Sequence, residues 1–416
     1  MCIAIKKIAL PTYENGLNQV KIILFANTEW YLFNFRLSLA KALQSQGHEV
    51  LLISPPGDYG ARLQALGFRW QALPMDRKSL NPLQELRLLA YLCRLYRHEQ
   101  PALVHHFTIK CVVYGSIAAL LARVPARVNA VAGMGYVFTN QALKARLLRP
   151  VVRGLMRLVL NGKGARLILQ NNDDVAAFAQ AGLARPELTR LVMGSGVDLT
   201  RFTPRLPIKQ TEQVGQVGQA GQVIHHAQPS RVLLAARLLW DKGIAEYVEA
   251  ARQLKAKGLP IRFLLAGAPD PGNPAAIAQA TLDGWQAEGL IELLGQVSDM
   301  AALFATVDVV VLPSYREGLP KSLIEAAACA LPLVTTDAPG CREVVTHEVN
   351  GLIVPVKNAP ALADAIERLH LSPSWARKLG QAARARALRE FDERIVIRQT
   401  LAVYGELLEP QGELAA

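Results

Sequence analysis

The chain has 416 residues, 51% hydrophobic and 19% charged, which excludes a disordered polypeptide and allows two or three domains. Aromatics are 6%, so the core must be aliphatic and Ala-rich; the formal charge of +12 admits nucleic acid, anionic lipid or a polyphosphate ligand without choosing among them. Cys2, Cys93, Cys111, Cys329 and Cys341 form no Cys-x-x-Cys pair, which argues against a disulfide framework or a Cys-rich zinc site and fits a reducing cytoplasm.

Short apolar runs alternate with amphipathic stretches through the first half. Val20–Ala26 reads as a buried strand, Phe35–Gln46 as a helix closed by Gly47, and Glu49–Ser54 as a strand. A short helix from Asp58 to Leu66, a strand over Phe68–Leu73 and a helix over Pro82–His98 follow. Then come ALVHHF (strand), Lys110–Ala122 (helix), ARVNAVA (strand), Lys144–Leu160 (helix), ARLILQ (strand), Asp173–Ala181 (helix) and LTRLVM (strand). Strands apolar on both faces and separated by helices predict a parallel sheet covered on both sides, a doubly wound Rossmann-type domain over 1–200. No run is long and apolar enough to span a membrane, and the N-terminal stretch does not read as a signal peptide.

Residues 201–229 contain QVGQVGQAGQV, too Gly-rich for a helix, and read as a flexible linker. A second α/β run over 230–390 holds strands Arg231–Arg237, Ile261–Gly267, LIELLG, Val307–Pro313, PLVTTD and LIVPV. Its helices are expected at Ile244–Lys257, Ala275–Glu288, Met300–Thr306 and Leu319–Ala330. Segment 391–416 carries a last helix, Ile395–Leu408, expected to pack back on the first domain. Two such domains predict a central cleft between the carboxyl edges of their sheets.

Two segments carry most of the chemistry. In Pro313–Glu325 a strand ends, a polar loop follows, and a helix starts with Pro320 in its first turn. Gly318 lets a ligand approach the backbone, and the helix start around Leu319 and Pro320 suits a diphosphate. Glu317 and Glu325 could each accept hydrogen bonds from vicinal hydroxyls; the bland alternative is two surface acids, weakest for Glu325 because AAACA follows it. In Ala235–Gly243, Arg237 and Lys242 could reach a pyrophosphate over the strand edge, or be ordinary exposed cations.

In this order and spacing these segments resemble the C-terminal domain of glycosyltransferase family 4, a retaining family with the GT-B fold. The Glu-x7-Glu motif is matched by Glu317 and Glu325, and the diphosphate-holding cations by Arg237 and Lys242; GQVSDM, TTDAPGCREVV and NGLIVPV extend the likeness. The resemblance implies a UDP-sugar donor with Glu325 on the ribose and Glu317 on the sugar, no cofactor and no essential metal. In the first half NTEWYLFNFR (Asn27–Arg36) replaces the usual Gly-rich loop. Together with HHFTIKCVVYGSIAA and VAGMGYVF it resembles transferases acting on undecaprenyl-diphosphate-linked saccharides. Gly133 and Gly135 would let the backbone approach the donor, or form a plain turn. Many family members carry a histidine where this chain has Gly133-Met134-Gly135, so no general base is assigned. His106 is a candidate substrate contact; the alternative is that one of His105 and His106 points into the sheet and the other caps the loop.

Arg146, Arg149, Arg153 and Arg157 recur at spacings of three and four on one face of a helix. Given a lipid-linked acceptor, they suggest contact with an anionic membrane surface and a place on the inner face of the cytoplasmic membrane; the alternative is a solvated helix face. The weaker functional readings are a UDP-sugar 2-epimerase of the same architecture and a basic nucleic-acid-binding protein. The latter lacks a recognisable motif, and its cations are not grouped with aromatics.

Overall fold

The computed structural model describes residues 19–77, 79, 81–131, 143–205, 229–270 and 272–408, without the side chains of 143–149. Gly133, Gly135, most of the Gln-Gly-Val linker and the side chains of Arg146 and Arg149 lie outside the described residues. The chain forms two compact units, residues 1–196 with 393–416, and residues 197–392.

The first unit holds a seven-stranded sheet in the order β3-β2-β1-β4-β5-β6-β7, every pair parallel. Its strands are β1 (Lys21–Phe25), β2 (Glu49–Ser54), β3 (Arg69–Ala72), β4 (Leu103–Phe107), β5 (Ala126–Val131), β6 (Ala165–Leu169) and β7 (Thr189–Leu191). Its helices are α1 (Glu29–Tyr31), α2 (Leu37–Ser45), α3 (Tyr59–Ala65), α4 (Pro82–Glu99), α5 (Ile109–Leu121), α6 (Leu143–Leu160) and α7 (Asn172–Gln180). Alternate residues of β1 and β2 face opposite cores. Ile22, Leu24 and Leu52 meet α2 and α3, whereas Ile23, Phe25, Leu51 and Ile53 meet α4 and α5.

The stretch expected as an aromatic loop is helical instead. Thr28 caps the turn by accepting from the Tyr31 amide at 3.1 Å, and a π-helical turn, Leu32–Arg36, joins α1 to α2. Packing explains it: Tyr31 stacks on Phe35 at 5.0 Å, and the Arg36 guanidinium lies 4.4 Å over the Phe107 ring, contacts that a hydrophobicity pattern does not reveal.

The second unit holds a six-stranded parallel sheet in the order β10-β9-β8-β11-β12-β13. Its strands are β8 (Ser230–Ala235), β9 (Ile261–Ala266), β10 (Glu292–Gly295), β11 (Val309–Leu312), β12 (Leu333–Thr336) and β13 (Leu352–Val354). Its helices are α8 (Ile244–Ala256), α9 (Gln279–Ala287), α10 (Met300–Phe304), α11 (Lys321–Ala328), α12 (Ala359–Leu371) and α13 (Pro373–Arg386). Phe202 packs on Phe304 with ring centres 6.1 Å apart, so residues just past 200 belong to this unit. Helix α9 begins later than the expected Ala275. The Ala275 carbonyl accepts from the Trp240 amide at 2.8 Å and Ala276 bridges Leu239, which commits that backbone to a neighbouring loop.

The final helix, α14 (Glu393–Leu408), lies in the first unit. Val396, Val403 and Tyr404 enter its core, Ser38 bonds Glu393 at 2.6 Å, and Glu406 takes Arg166 and Arg190, each at 2.6 Å. Among the described residues no helix is long and apolar enough to cross a membrane.

Candidate active site

The carboxyl ends of β8, β11 and β12, neighbours in the second sheet, carry the three motif loops. Gly243 has φ of 71°, and a Cβ there would collide with the Pro313 carbonyl, so only glycine lets the first loop cross the end of β11. The Asp241 carbonyl accepts from the Tyr315 amide at 2.9 Å and from Ser314 Oγ at 3.1 Å. From the other side the Glu317 amide donates to the Pro339 carbonyl at 2.9 Å, and Thr336 Oγ1 donates to the Ser314 carbonyl. Gly340, with φ of 80°, allows that third loop to lie against the Glu317 and Gly318 carbonyls.

This lacing brings Lys242 and Glu317 together: Nζ lies 2.7 Å from Oε1, with both side chains largely buried. Beneath them burial, with the Glu317 charge adding to it, pushes the Cys341 thiol up to about 12, so it stays protonated and inert. Arg237 is about half exposed, and its Nη1 is anchored 2.9 Å from Asp270 Oδ2. Asp270 is buried and also accepts from Asn273 Nδ2 at 3.0 Å. Asp270 follows the carboxyl end of β9, and its place in a Pro/Gly turn past a buried strand was the signal that could have revealed it. Tyr315, whose hydroxyl donates to Glu246 at 2.8 Å, was likewise not singled out as a site residue.

Glu325 lies on α11 with Leu323, Ile324 and Ala326–Ala328, all buried. Burial pushes its carboxyl up, opposed by the charges of Lys321 and Arg201; Lys321 Nζ is 3.7 Å away. Pro320 is the N-cap in extended conformation and has no N–H to offer, while Leu319 is buried. Neither side chain can hydrogen-bond a ligand, and of the two only Leu319 carries a backbone N–H.

His106 is a correction. Its ring has no exposed surface; it is bonded to Asn129 Oδ1 at 2.9 Å, lies 3.2 Å from the Tyr96 hydroxyl, and meets Phe25 edge-on. Burial drives its pKa down to about 4, so it is a neutral core residue with no path to a substrate. His105 is equally buried on the opposite face of β4, bonded to the Tyr404 hydroxyl at 2.7 Å, and caps no loop. Arg153 and Arg157 are not simply solvated either: they donate to the Ala181 carbonyl at 2.5 and 3.1 Å, and Arg157 Nε also to Gly182 at 2.8 Å. They thereby cap the C-terminal end of α7.

In the first unit a concavity of about 400 Å³ opens beyond β2 and β3, lined by Pro56, Leu73, Met75, Gln84, Glu85 and Arg87. Among the described residues no group of three or more His, Cys, Asp or Glu side chains could hold a metal ion.

Two parallel Rossmann-like sheets, with paired acids and cations at the carboxyl edge of the second, define a GT-B glycosyltransferase. A solved structure, Anabaena Alr3699/HepE in complex with UDP-glucose, matches at a TM-score of 0.74 and 22% identity, over 94% of this chain and 100% of that one. Residues 229–371 match the family model "Glycosyl transferases group 1" and residues 21–172 match "Glycosyl transferase 4-like". The Campylobacter jejuni N,N'-diacetylbacillosaminyl-diphospho-undecaprenol alpha-1,3-N-acetylgalactosaminyltransferase is 30% identical over 379 residues, 91% of this chain and 96% of that relative. The chain therefore belongs to glycosyltransferase family 4 and is an enzyme of that class. An Escherichia coli UDP-Gal:alpha-D-GlcNAc-diphosphoundecaprenol alpha-1,3-galactosyltransferase is 23% identical over 71% of this chain and 73% of its own length. These comparisons give no support to the epimerase reading.

Proposed function

We propose that the enzyme moves a hexose or N-acetylhexosamine from a UDP-sugar to a lipid-linked saccharide, with retention at the anomeric carbon and without a metal, during synthesis of a cell-surface glycan such as capsule or O-antigen. The observation that carries this reading is the pairing of Lys242 with Glu317 at 2.7 Å across two laced loops at one sheet edge, with Arg237 on the same loop as Lys242. Lys242 and Arg237 would neutralise the departing diphosphate, the work a metal would otherwise do. Glu325 would take the ribose hydroxyls and Glu317 the donor sugar. The anomeric carbon loses its bond to the β-phosphate oxygen and gains one to the acceptor oxygen on the same face. The acceptor proton passes to the departing phosphate oxygen, so no histidine base is required.

The acceptor is supported by the printed activities of the Campylobacter and Escherichia relatives, both named for undecaprenol-linked substrates. Such a carrier would place the enzyme peripherally on the inner face of the cytoplasmic membrane, with the basic face of α6, Arg146 to Arg157, as one element of contact.

Calorimetric titration with UDP, and with GDP as comparison, in EDTA tests the donor site. UDP is expected to bind selectively, Glu325→Ala to lose that binding, and Arg237→Ala to lose turnover. Full activity in both variants would overturn the assignment.

A further inference from the structure

Helices α4, α5 and α6 lie side by side on one face of the first sheet. Leu88 and Leu92 of α4 share a core with Cys111 and Ala118 of α5, while Val112 and Val113 of α5 share the next with Met156 and Val159 of α6. Arg97 Nη2 ties the end of α4 to the Leu121 carbonyl at 3.2 Å. Of twelve large apolar side chains that stand exposed among the described residues, six are on these three helices: Leu83, Leu86, Leu120, Leu121, Val151 and Leu158. Leu83 is 67% exposed and Leu86 62%, although both start a helix whose other leucines are mostly buried.

The charges on the same face have one sign. Arg94, Arg97, Arg153 and Arg157 are exposed, and Arg123 follows at the end of α5. Helices α5 and α6 contain no acid, and the only two on α4 are turned inward: Glu85 pairs with Lys110 at 2.6 Å, and Glu99 with Lys21 at 2.8 Å and Arg69 at 3.0 Å. Isolated exposed leucines are ordinary, but six among arginines with no exposed acid are not. A protein partner of mixed charge would leave the arginines unmatched, whereas a leaflet of anionic headgroups over acyl chains satisfies both components.

We infer that the α4–α5–α6 face is the surface by which the enzyme docks on an anionic phospholipid leaflet, with the leucines entering the headgroup boundary and the arginines on the phosphates. This rests on the lipid-linked acceptor proposed above and replaces a single arginine stripe on α6 with a surface three helices wide.

Co-sedimentation of the full chain with vesicles tests it, using phosphatidylcholine alone or mixed with phosphatidylglycerol. Wild type is expected to pellet with the mixed vesicles and to be released by high salt. The triple substitution Leu83→Ser, Leu86→Ser, Arg94→Glu should lower the partition by about tenfold or more. Lys41→Glu with Leu66→Ser, an exposed pair on α2 and just after α3 on the opposite side of the sheet, should leave it unchanged. Thermal melting and UDP titration of each variant read folding and the donor site separately, so loss of UDP binding with vesicle binding intact would sink only the transferase reading. Equal pelleting of wild type and the triple variant would overturn the docking face, as would no pelleting by a wild type that binds UDP. Self-association lost in the triple variant, without vesicle binding, would assign the face to a second copy instead.

Discussion

A buried carboxyl on an Ala-rich helix is expensive, and Glu325 makes the expense measurable. Its folded pKa is raised, so ionising it costs the folded state more than the unfolded state. The cost is absent below the ordinary glutamate range, where both states are protonated, and grows as pH rises through the folded pKa. Glu325→Gln should therefore stabilise the protein at pH 7.5 by about 1 kcal/mol, or about 2–4 °C in Tm, and gain little at pH 4. The same variant should lose UDP affinity; melting curves at both pH values and one titration check the pair of outcomes. A variant that is less stable at pH 7.5 and binds UDP normally would make Glu325 a structural residue. If Arg237 holds the diphosphate as proposed, Asp270, 2.9 Å from its guanidinium, is its positioning residue. Asp270→Ala should free the guanidinium and lower kcat by about tenfold or more while KM changes little, with Asp270→Asn restoring part of the loss. A rise in KM alone would mean that Asp270 serves ground-state binding. The two acids and two cations were legible as a candidate site because their order and spacing resemble the motifs of a known family, and the structure brings Lys242 and Glu317 together. Asp270 was not, because its local signal, a Pro/Gly turn past a buried strand, does not show that its partner is Arg237, 33 residues away in sequence.

Whole elements were legible to different degrees, and the difference lies in what covers them. Strands β1 and β11 are apolar on both faces, which is the pattern of a parallel sheet wherever the helices fall. The side chains of β4 were harder to assign, because the partner of His105 is Tyr404, 299 residues away on α14. The histidine read as a candidate contact, His106, is instead taken up by Asn129 of β5 and Tyr96 of α4, partners that a strand-end pattern does not reveal. Helix α14 is held by Glu406, for which burial raises the carboxyl pKa but hydrogen bonds from Arg190 and Arg166 more than reverse it. A lowered folded pKa contributes stability that is present above the ordinary glutamate value and is lost as pH falls through the folded one. Hydrogen exchange over 393–408 should accordingly quicken below about pH 4 relative to β1 and β4. Glu406→Gln should quicken it at neutral pH, at a cost of about 1–3 kcal/mol. Unchanged protection in that variant would show that Val396, Val403 and Tyr404 hold the helix by packing alone.

Each unit has its own hydrophobic core: Val232, Tyr247, Val311, Leu362 and Ile366 belong to the second, and Ile22, Leu24 and Tyr404 to the first. The chain passes between them twice, after Gly196 and after Asp392, so the first unit is completed only by residues that follow the whole of the second. That order was only partly legible, since amphipathic periodicity shows that a final helix exists but not which core takes its apolar side. It has a consequence for ligand linkage. All four polar side chains proposed for the donor site, Arg237, Lys242, Glu317 and Glu325, belong to the second unit. UDP at about 100 times its Kd should stabilise whatever unfolds with that site by about 2.7 kcal/mol. Amides of β8, β11 and α11 that exchange by unfolding of the second unit should therefore slow by about a hundredfold. Those of β1 and β2 will follow only to the extent that the first unit unfolds with the second. Hydrogen exchange with and without UDP measures both at once. Protection confined to the first unit would contradict the donor site, because it would place the nucleotide on a sheet that carries none of the four residues.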